Sequence, residues 1–216
     1  MHRPNLSERV RFMDDKASLG ERVYHDLKDV ICNGGVLPGG RVDVAEMCNR
    51  FGASRSPVRQ ALSRLVGEGL LELHSHDGYY RPRVTPQNVR DLYDWNEAVL
   101  TQALVEIAQK LEAGLPLPAL EVDCEDVVAT TEIVFVAIAA AGGNTEYVRA
   151  IGSNNDRLRA VRLRKASGLF DRPSELRAFV KAWSTPDIPG LTHLVAAYHA
   201  RRRGALSDIV VAAYSV

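Results

Sequence analysis

The sequence predicts a mainly α-helical protein, with an N-terminal winged helix-turn-helix that carries a small β-hairpin wing and a C-terminal all-helical bundle. Three observations support this fold class. Residues 19–70 contain three short amphipathic segments separated by turns, two extended segments flank an Asp-Gly pair at 77–78, and apolar residues recur at helical spacing from residue 85 onward. We therefore expect an N-terminal arm (1–18), a winged-helix domain (19–84) and a helical domain (85–216).

The composition is that of an ordinary globular protein, with 46% hydrophobic residues and 27 Lys+Arg balanced by 27 Asp+Glu. No apolar run approaches the ~20 residues that span a bilayer, and the N-terminus is too polar for a secretory signal. Cys32, Cys48 and Cys124 have neither disulfide-framework nor zinc-site spacing. We expect a cytoplasmic protein with free thiols and no membrane partner.

No motif of catalytic chemistry occurs in the chain. It lacks H-E-x-x-H, G-x-x-x-x-G-K-[ST] and G-x-S-x-G, and its six histidines follow no metal-ligand spacing. The sequence therefore predicts neither an enzyme nor a bound cofactor.

The first two segments have the signals of short helices. Leu19, Val23 and Leu27 share one face of the first, which should end at the glycines of "NGG", since glycine adopts the left-handed conformation at helix ends. The second should begin at Asp43, with Glu46 placed for a capping box, and end at Gly52.

The third segment is the most informative helix of the chain. Ser54 or Ser56 can cap it, and Pro57 is tolerated in its first turn. Its apolar stripe follows the i, i+3, i+4, i+7 rule and consists of Val58, Ala61, Leu62 and Leu65. The opposite face holds Arg55, Ser56, Arg59, Gln60 and Ser63. Two short helices joined by a tight turn, the second amphipathic, predict a helix-turn-helix.

The same region concentrates positive charge. Residues 50–66 contain four arginines (Arg50, Arg55, Arg59 and Arg64) and no acidic residue, although the whole chain is neutral. The start of such a second helix enters a DNA major groove, where arginine bonds guanine and serine bonds phosphate. An arginine-rich helix is often only a solvated face. That alternative leaves unexplained the missing acids, the two serines and the predicted wing.

Residues 20–84 resemble the winged-helix domain of the GntR family of bacterial transcription regulators. The resemblance is carried by "GVLPGG", by the signature "GASRSPVRQAL" and by "EGL" before the wing. It implies that Arg55 and Arg59 contact bases or phosphates and that Ser54 and Ser56 contact phosphates. Gly78 would let the wing tip approach a minor groove. Gln60 stands where many members have glutamate, and Arg64 completes the predicted DNA-binding set.

The remaining chain is predicted to be helical. Thr85 can cap a long helix that begins at Pro86, and further helices are expected over 124–141, 145–166, 173–184, 189–203 and 205–214. With "NVRDLYDW" at its start and "AAAGGN" at 139–144, this region resembles the effector-binding and dimerisation (FCD) domain of the FadR-type branch. The short connection "LEAGLPLPALEVD" suggests the compact, roughly six-helix VanR-like subgroup.

The resemblance also bears on metal binding. That branch often holds a divalent metal through one aspartate and three histidines in the bundle. Here Thr131, Phe135 and Leu176 stand at three of those positions, and only His199 remains. We therefore expect a metal-free bundle, although His199 with aspartates could still hold an ion weakly.

Polar residues on apolar helix faces mark a candidate effector site. Asn96 stands where the branch usually has an arginine that holds a carboxylate ligand, and Thr131 and Asn155 also lie on apolar stripes. A buried polar group is unfavourable unless it is hydrogen-bonded. Either these groups satisfy one another in the core, or they line a small-molecule pocket together with His199. The missing arginine and metal ligands argue against a simple organic acid.

These features predict a ligand-responsive regulator, acting as a repressor, that binds an inverted repeat in double-stranded DNA as a homodimer. Pairing is expected because one recognition helix reads only a few base pairs. Two other classes of protein fit the sequence less well. An enzyme built on the bundle lacks any catalytic constellation, and a winged helix can also serve as a protein-interaction module without specific DNA binding.

Overall fold

The computed structural model describes residues 18–75, 77–120, 122, 125–164 and 172–215. The chain divides into two compact units, residues 1–83 and 84–216. Most of the predicted arm, and Cys124, lie outside the described residues, whereas Cys32 and Cys48 form no disulfide bond with a described residue.

The N-terminal unit combines three helices with a small sheet. The helices are α1 (Leu19–Cys32), α2 (Val44–Phe51) and α3 (Arg55–Gly67), and the strands are β1 (Arg41–Val42), β2 (Glu72–His74) and β3 (Gly78–Tyr80). The sheet is antiparallel with the order β1-β3-β2. The predicted hairpin is confirmed, since β2 and β3 pair with His74 opposite Gly78. Strand β1, which the sequence did not predict, adds a third member to the wing sheet.

Local signals place the helix ends of this unit. The Asp43 carboxylate accepts hydrogen bonds from the Ala45 and Glu46 backbone N–H groups, at 2.6 and 3.1 Å, so α2 begins where predicted. Gly52 ends α2 in the left-handed region (φ 59°), which glycine adopts without Cβ strain. The apolar faces of the helices and sheet bury one core, which includes Val23, Leu27, Ile31, Val42, Met47, Val58, Leu62, Leu65, Leu71 and Tyr79.

The described residues of the C-terminal unit form six helices: α4 (Pro86–Glu112), α5 (Val127–Gly142), α6 (Thr145–Leu163), α7 (Arg172–Ser184), α8 (Ile188–Gly204) and α9 (Leu206–Tyr214). Thr85 caps α4 in a capping box with Asn88, as its position before Pro86 predicted. Helix α6 ends earlier than the predicted residue 166, because Arg164 already has an extended backbone (φ −70°, ψ 122°).

The helices of this unit pack around a single apolar core. Helix α4 lies against α5, α6 and α8, and α7 packs against both α5 and α8. An aromatic cluster fills the centre, where the Phe135 ring meets the Tyr198 and Phe179 rings edge to face at centroid distances of 5.1 and 5.8 Å. No helix within the described ranges is long and apolar enough to cross a membrane.

Candidate functional site

Helix α3 separates a buried face from an exposed one. Val58, Ala61, Leu62 and Leu65 are buried, as the periodicity predicted. The predicted DNA-contacting residues of its first two turns, Ser54, Arg55, Ser56, Arg59 and Gln60, are all exposed. The α3 start therefore presents hydroxyl, amide and guanidinium groups together on one face.

The arginines of α3 differ in whether they form ion pairs within the protein. Neither Arg55 nor Arg59 forms an ion pair with any residue in the described part of the chain. Ser54 lies at the N-cap position, but its hydroxyl makes no cap hydrogen bond. The exposed α3 start thus combines uncompensated positive charge with hydroxyl groups that suit phosphate contacts.

Arg64 is engaged within the protein instead. Its Nη1 lies 3.2 Å from Glu21 Oε2 and its Nε lies 3.5 Å from Glu68 Oε1. Its guanidinium carbon also lies 3.5 Å from the centre of the Tyr24 ring, close enough for a cation–π interaction. A DNA contact by Arg64 stays a prediction, because two carboxylates already offset its charge.

The wing tip brings together a glycine and an arginine. Gly78 has a φ of 95°, a left-handed value that strains any residue with a Cβ. A Cβ built on Gly78 would lie 4.0 Å from both Nε and Nη2 of Arg41, which is exposed on β1. Arg41 is therefore a further candidate for a DNA contact. The sequence alone does not indicate Arg41, because its position depends on the pairing of β1 with β3.

In the bundle, three of the polar residues form a buried hydrogen-bonded chain. Asn96 Nδ2 donates to Asn154 Oδ1 at 2.9 Å, and Asn154 Nδ2 donates to the Leu92 carbonyl at 2.8 Å. His199 Nε2 lies 2.9 Å from Asn96 Oδ1. Asn96 and His199 are fully buried. These two residues thus match the alternative in which buried polar groups satisfy one another.

A cavity lies beside this chain, within the C-terminal unit. It is lined by Tyr93, Val127, Val128, Thr131, Val134, Phe135, Val161, Arg162, Arg164, Arg172, Glu175, Leu176, Phe179, Tyr198, Arg202 and Ile209. Thr131 is therefore in the wall, as the pocket hypothesis requires. Asn155 accepts a hydrogen bond from the wall residue Arg162 at 2.8 Å. Asn96 and His199 are not wall residues. The predicted effector residues therefore divide into Thr131 and Asn155 at the cavity and Asn96 and His199 in the hydrogen-bonded chain.

The sequence did not single out the arginines of this wall. Arg162 and Arg202 are each only 5% exposed, although arginine is seldom fully buried. Arg202 is paired with Glu175, with Nη2 and Oε2 2.6 Å apart. Among the described residues, no three His, Cys, Asp or Glu side chains come together in a way that could hold a metal ion. The metal-free bundle stays a prediction.

The helix-turn-helix, the exposed basic start of α3 and the adjoining hairpin have the arrangement of a winged-helix domain. Residues 19–80 match the family described as bacterial regulatory proteins, gntR family. The N-terminal unit is therefore similar to the DNA-binding domain of this family over those residues.

Relatives support the same assignment. Over 70 residues the chain is 36% identical to the uncharacterised HTH-type transcriptional regulator YdhC of Bacillus subtilis (strain 168). The aligned segment covers 32% of this chain and 31% of that protein. It is 24% identical to an uncharacterised HTH-type transcriptional regulator in an unstable DNA locus of Streptomyces ambofaciens, over 71% of this chain and 74% of that protein. It is also 24% identical to the Nta operon transcriptional regulator of Aminobacter aminovorans (58% and 64%). These relatives are transcriptional regulators, not enzymes.

Two solved structures share the fold across most of the chain. E. coli McbR/YncC matches with a TM-score of 0.63 and 18% identity, and a GntR structure from Rhodococcus sp. RHA1 matches with a TM-score of 0.69 and 17% identity. Each match covers 88% of this chain and 98% of the other. The likeness therefore extends beyond the winged helix to the arrangement of helices.

Proposed function

We propose that the chain is a ligand-responsive transcriptional regulator that binds an inverted-repeat site in DNA as a homodimer and represses transcription. One observation carries the proposal: exposed Arg55 and Arg59, without ion pairs to described residues, start the second helix of a GntR-family helix-turn-helix. Arginine at this position of such a motif reads base edges and phosphates. This action takes place in the cytoplasm, where double-stranded DNA is the partner.

The bundle is the proposed sensor. Its six described helices suit an FCD-like domain of the FadR-type branch, in the compact VanR-like form. A cavity between bundle helices is a usual location for a small ligand. Binding there would change DNA affinity only if the ligand favours one arrangement of the dimer over another. One recognition helix contacts only a few base pairs. A homodimer with two-fold symmetry places two such helices on two half-sites, so we expect the protein to act as a homodimer.

A gel shift and footprint on the DNA upstream of the protein's own gene test the proposal. We expect saturable binding, a protected inverted repeat, and an affinity that falls steeply with salt as phosphate counterions are released. Binding that is equal on unrelated DNA, or absent at low salt, would instead favour a protein-interaction role for the winged helix. A two-fold footprint together with a dimer mass in solution supports the pairing.

A further inference from the structure

The C-terminal end of α9 is hydrogen-bonded to the joining segment (residues 81–85), which lies between β3 and α4. The Tyr214 hydroxyl accepts a hydrogen bond from the Val84 N–H and donates one to the Val84 carbonyl oxygen, at 3.1 Å in both cases. Val84 is the first residue of the C-terminal unit. Neither of its backbone groups bonds another backbone group in the described part of the chain. Tyr214 therefore satisfies both groups from a position 130 residues away in sequence.

Helix α9 is also part of the cavity wall. Ile209 lines the cavity, and it is buried together with Leu206 and Ala213 on the inner face of the helix. The helix packs against α4, α6 and α8. Its nine residues are tied together by backbone hydrogen bonds, so a displacement of the wall at Ile209 also displaces Tyr214.

A second wall residue contacts the chain directly after Tyr214. Arg164 lines the cavity where α6 ends, and its Nη1 donates to the Ser215 carbonyl oxygen at 3.0 Å. Arg172, also in the wall, donates to the carbonyl oxygens of Arg162 and Arg164, at 2.5 and 3.3 Å. The wall thus fixes the end of α6, and the end of α6 in turn holds the residue next to Tyr214.

The bonds between Tyr214 and Val84 can open at little cost. Tyr214 is 43% exposed, and the pairs lie at the surface, so water replaces either partner when the bonds break. A contact of this kind opens locally while the rest of the bundle stays folded. The joining segment therefore has two accessible states, one with Val84 held by Tyr214 and one with Val84 released. Coupling between two sites requires an element of this kind that both sites contact.

We propose that Tyr214 is a positioning residue for DNA binding: it holds the joining segment at Val84, and Ile209 and Arg164 make that hold sensitive to the cavity wall. The inference rests on the proposed function, because it gives the route by which the sensor acts on the N-terminal unit. A held Val84 restricts the conformations of the joining segment, so fewer conformations are lost when the recognition helices bind DNA. Release of Val84 therefore weakens DNA binding.

Hydrogen exchange of the Val84 amide, followed by NMR in the full-length protein without DNA, measures the hold directly. Tyr214→Phe keeps the ring and removes the hydroxyl. We expect the Val84 amide to exchange roughly three- to tenfold faster in this variant, which is the range that the loss of one net hydrogen bond produces. Tyr147→Phe, at a half-buried position of α6, is the matched control and should leave the Val84 rate unchanged. Equal Val84 rates in Tyr214→Phe and the parent would overturn the proposal.

A change in the cavity wall tests the coupling. Arg164→Met removes the donor to Ser215 and leaves both partners of the Tyr214–Val84 contact in place. We expect the Val84 amide to exchange roughly twofold faster or more. Because Arg164 acts through Tyr214, the double variant should exchange no faster than Tyr214→Phe alone. Arg157→Met, at an exposed position of α6, should match the parent. An unchanged Val84 rate in Arg164→Met, or single effects that multiply in the double variant, would refute the coupling.

Affinity for the footprinted DNA site separates a positioning role from a purely structural one. Tyr214→Phe should bind the site roughly threefold more weakly or worse, at the melting temperature of the parent, whereas Tyr147→Phe should bind as the parent does. Unchanged DNA affinity in Tyr214→Phe would overturn the positioning role.

The two proposals fail separately, because hydrogen exchange is measured without DNA. A parent protein that binds no specific DNA site would refute the proposed function, and the exchange rates would still report whether the cavity wall controls Val84. A parent protein that binds its site, with Val84 exchange unchanged in Tyr214→Phe and Arg164→Met, would refute the role of Tyr214 alone.

Discussion

The imidazole Nε2 of His199 lies 2.9 Å from Oδ1 of Asn96, and Nδ1 of the same ring lies 2.7 Å from the Val195 carbonyl oxygen. Both partners are acceptors. Burial, together with the positive charges of Arg162, Arg202 and Arg203, lowers the pKa of His199 to about 3, although the hydrogen bond to the Val195 carbonyl opposes this shift. The ring is therefore neutral near pH 7, and a neutral ring donates to only one of its two acceptors.

The neutral, buried ring of His199 predicts that the free energy of unfolding decreases in mild acid. The unfolded chain protonates His199 near its ordinary pKa of about 6.5, whereas the folded chain resists protonation down to about pH 3. Below pH 6.5 the unfolded state binds more protons, so the free energy of unfolding decreases as pH falls. Between pH 7.5 and pH 5 the expected loss from this residue is about 2 kcal/mol.

Urea unfolding at both pH values measures the effect. His199→Gln should unfold with a much smaller difference between pH 7.5 and pH 5. His25→Gln, which changes an exposed histidine on α1, should keep the full difference. Equal pH dependence in the parent and in His199→Gln would contradict the neutral buried ring.

Asn96→Leu should lower stability and leave ligand-induced release from DNA intact. The change removes the partner of Asn154 Oδ1 and of His199 Nε2 in a fully buried location. Leaving such groups unsatisfied costs about 1–3 kcal/mol. Thermal unfolding checks this, with Gln102→Leu as a control at an exposed position of α4. Loss of ligand response at an unchanged melting temperature would instead make Asn96 an effector contact.

Chelators should change neither the melting temperature nor the DNA affinity of the purified protein. A bundle site needs several ligands that converge on one point, and affinity drops as ligands are lost. Both ring nitrogens of His199 already face protein oxygens, and the Phe135 ring stacks near it at 6.0 Å between centroids. Elemental analysis that finds about one tightly held metal per chain, lost in His199→Ala, would overturn this expectation.

Arg64→Ala should affect stability more than DNA recognition. Its half-exposed ion pairs with Glu21 and Glu68 are each worth about 0–1 kcal/mol, and its contact with the Tyr24 ring adds ~0.5–1 kcal/mol. We expect a loss of about 1 kcal/mol in urea unfolding and less than a threefold change in DNA affinity. A loss of DNA affinity as large as that of Arg59→Ala would place Arg64 among the DNA contacts.

The sequence predicted the elements that depend on local signals. The stripe of Val58, Ala61, Leu62 and Leu65 located α3, and Asp43 and Thr85 marked two helix starts, because periodicity and capping act over a few residues. Strand β1 escaped prediction since its two residues form no pattern and are defined by pairing with β3.

The bundle site was predicted less well for the same reason. The sequence placed Asn96 on an apolar stripe, but its partners Asn154 and His199 lie 58 and 103 residues away along the chain. Arg162 was not singled out, because arginine is seldom fully buried and the sequence gives no sign of an exception here. Its hydrogen bond to Asn155 and its ion pair with Glu132 become visible only in the folded structure.

The affinity of Arg59→Ala for the footprinted DNA site tests the central claim most directly. Arg59 lies on the exposed face of α3, so its loss should leave folding unchanged. If Arg59 contacts a base, specific binding weakens by roughly 1–3 kcal/mol, about five- to 150-fold. Arg22→Ala, which removes an exposed arginine from α1, controls for net charge and should bind nearly as the parent does. Equal binding by Arg59→Ala and the parent protein would contradict the assignment of α3 as the recognition helix.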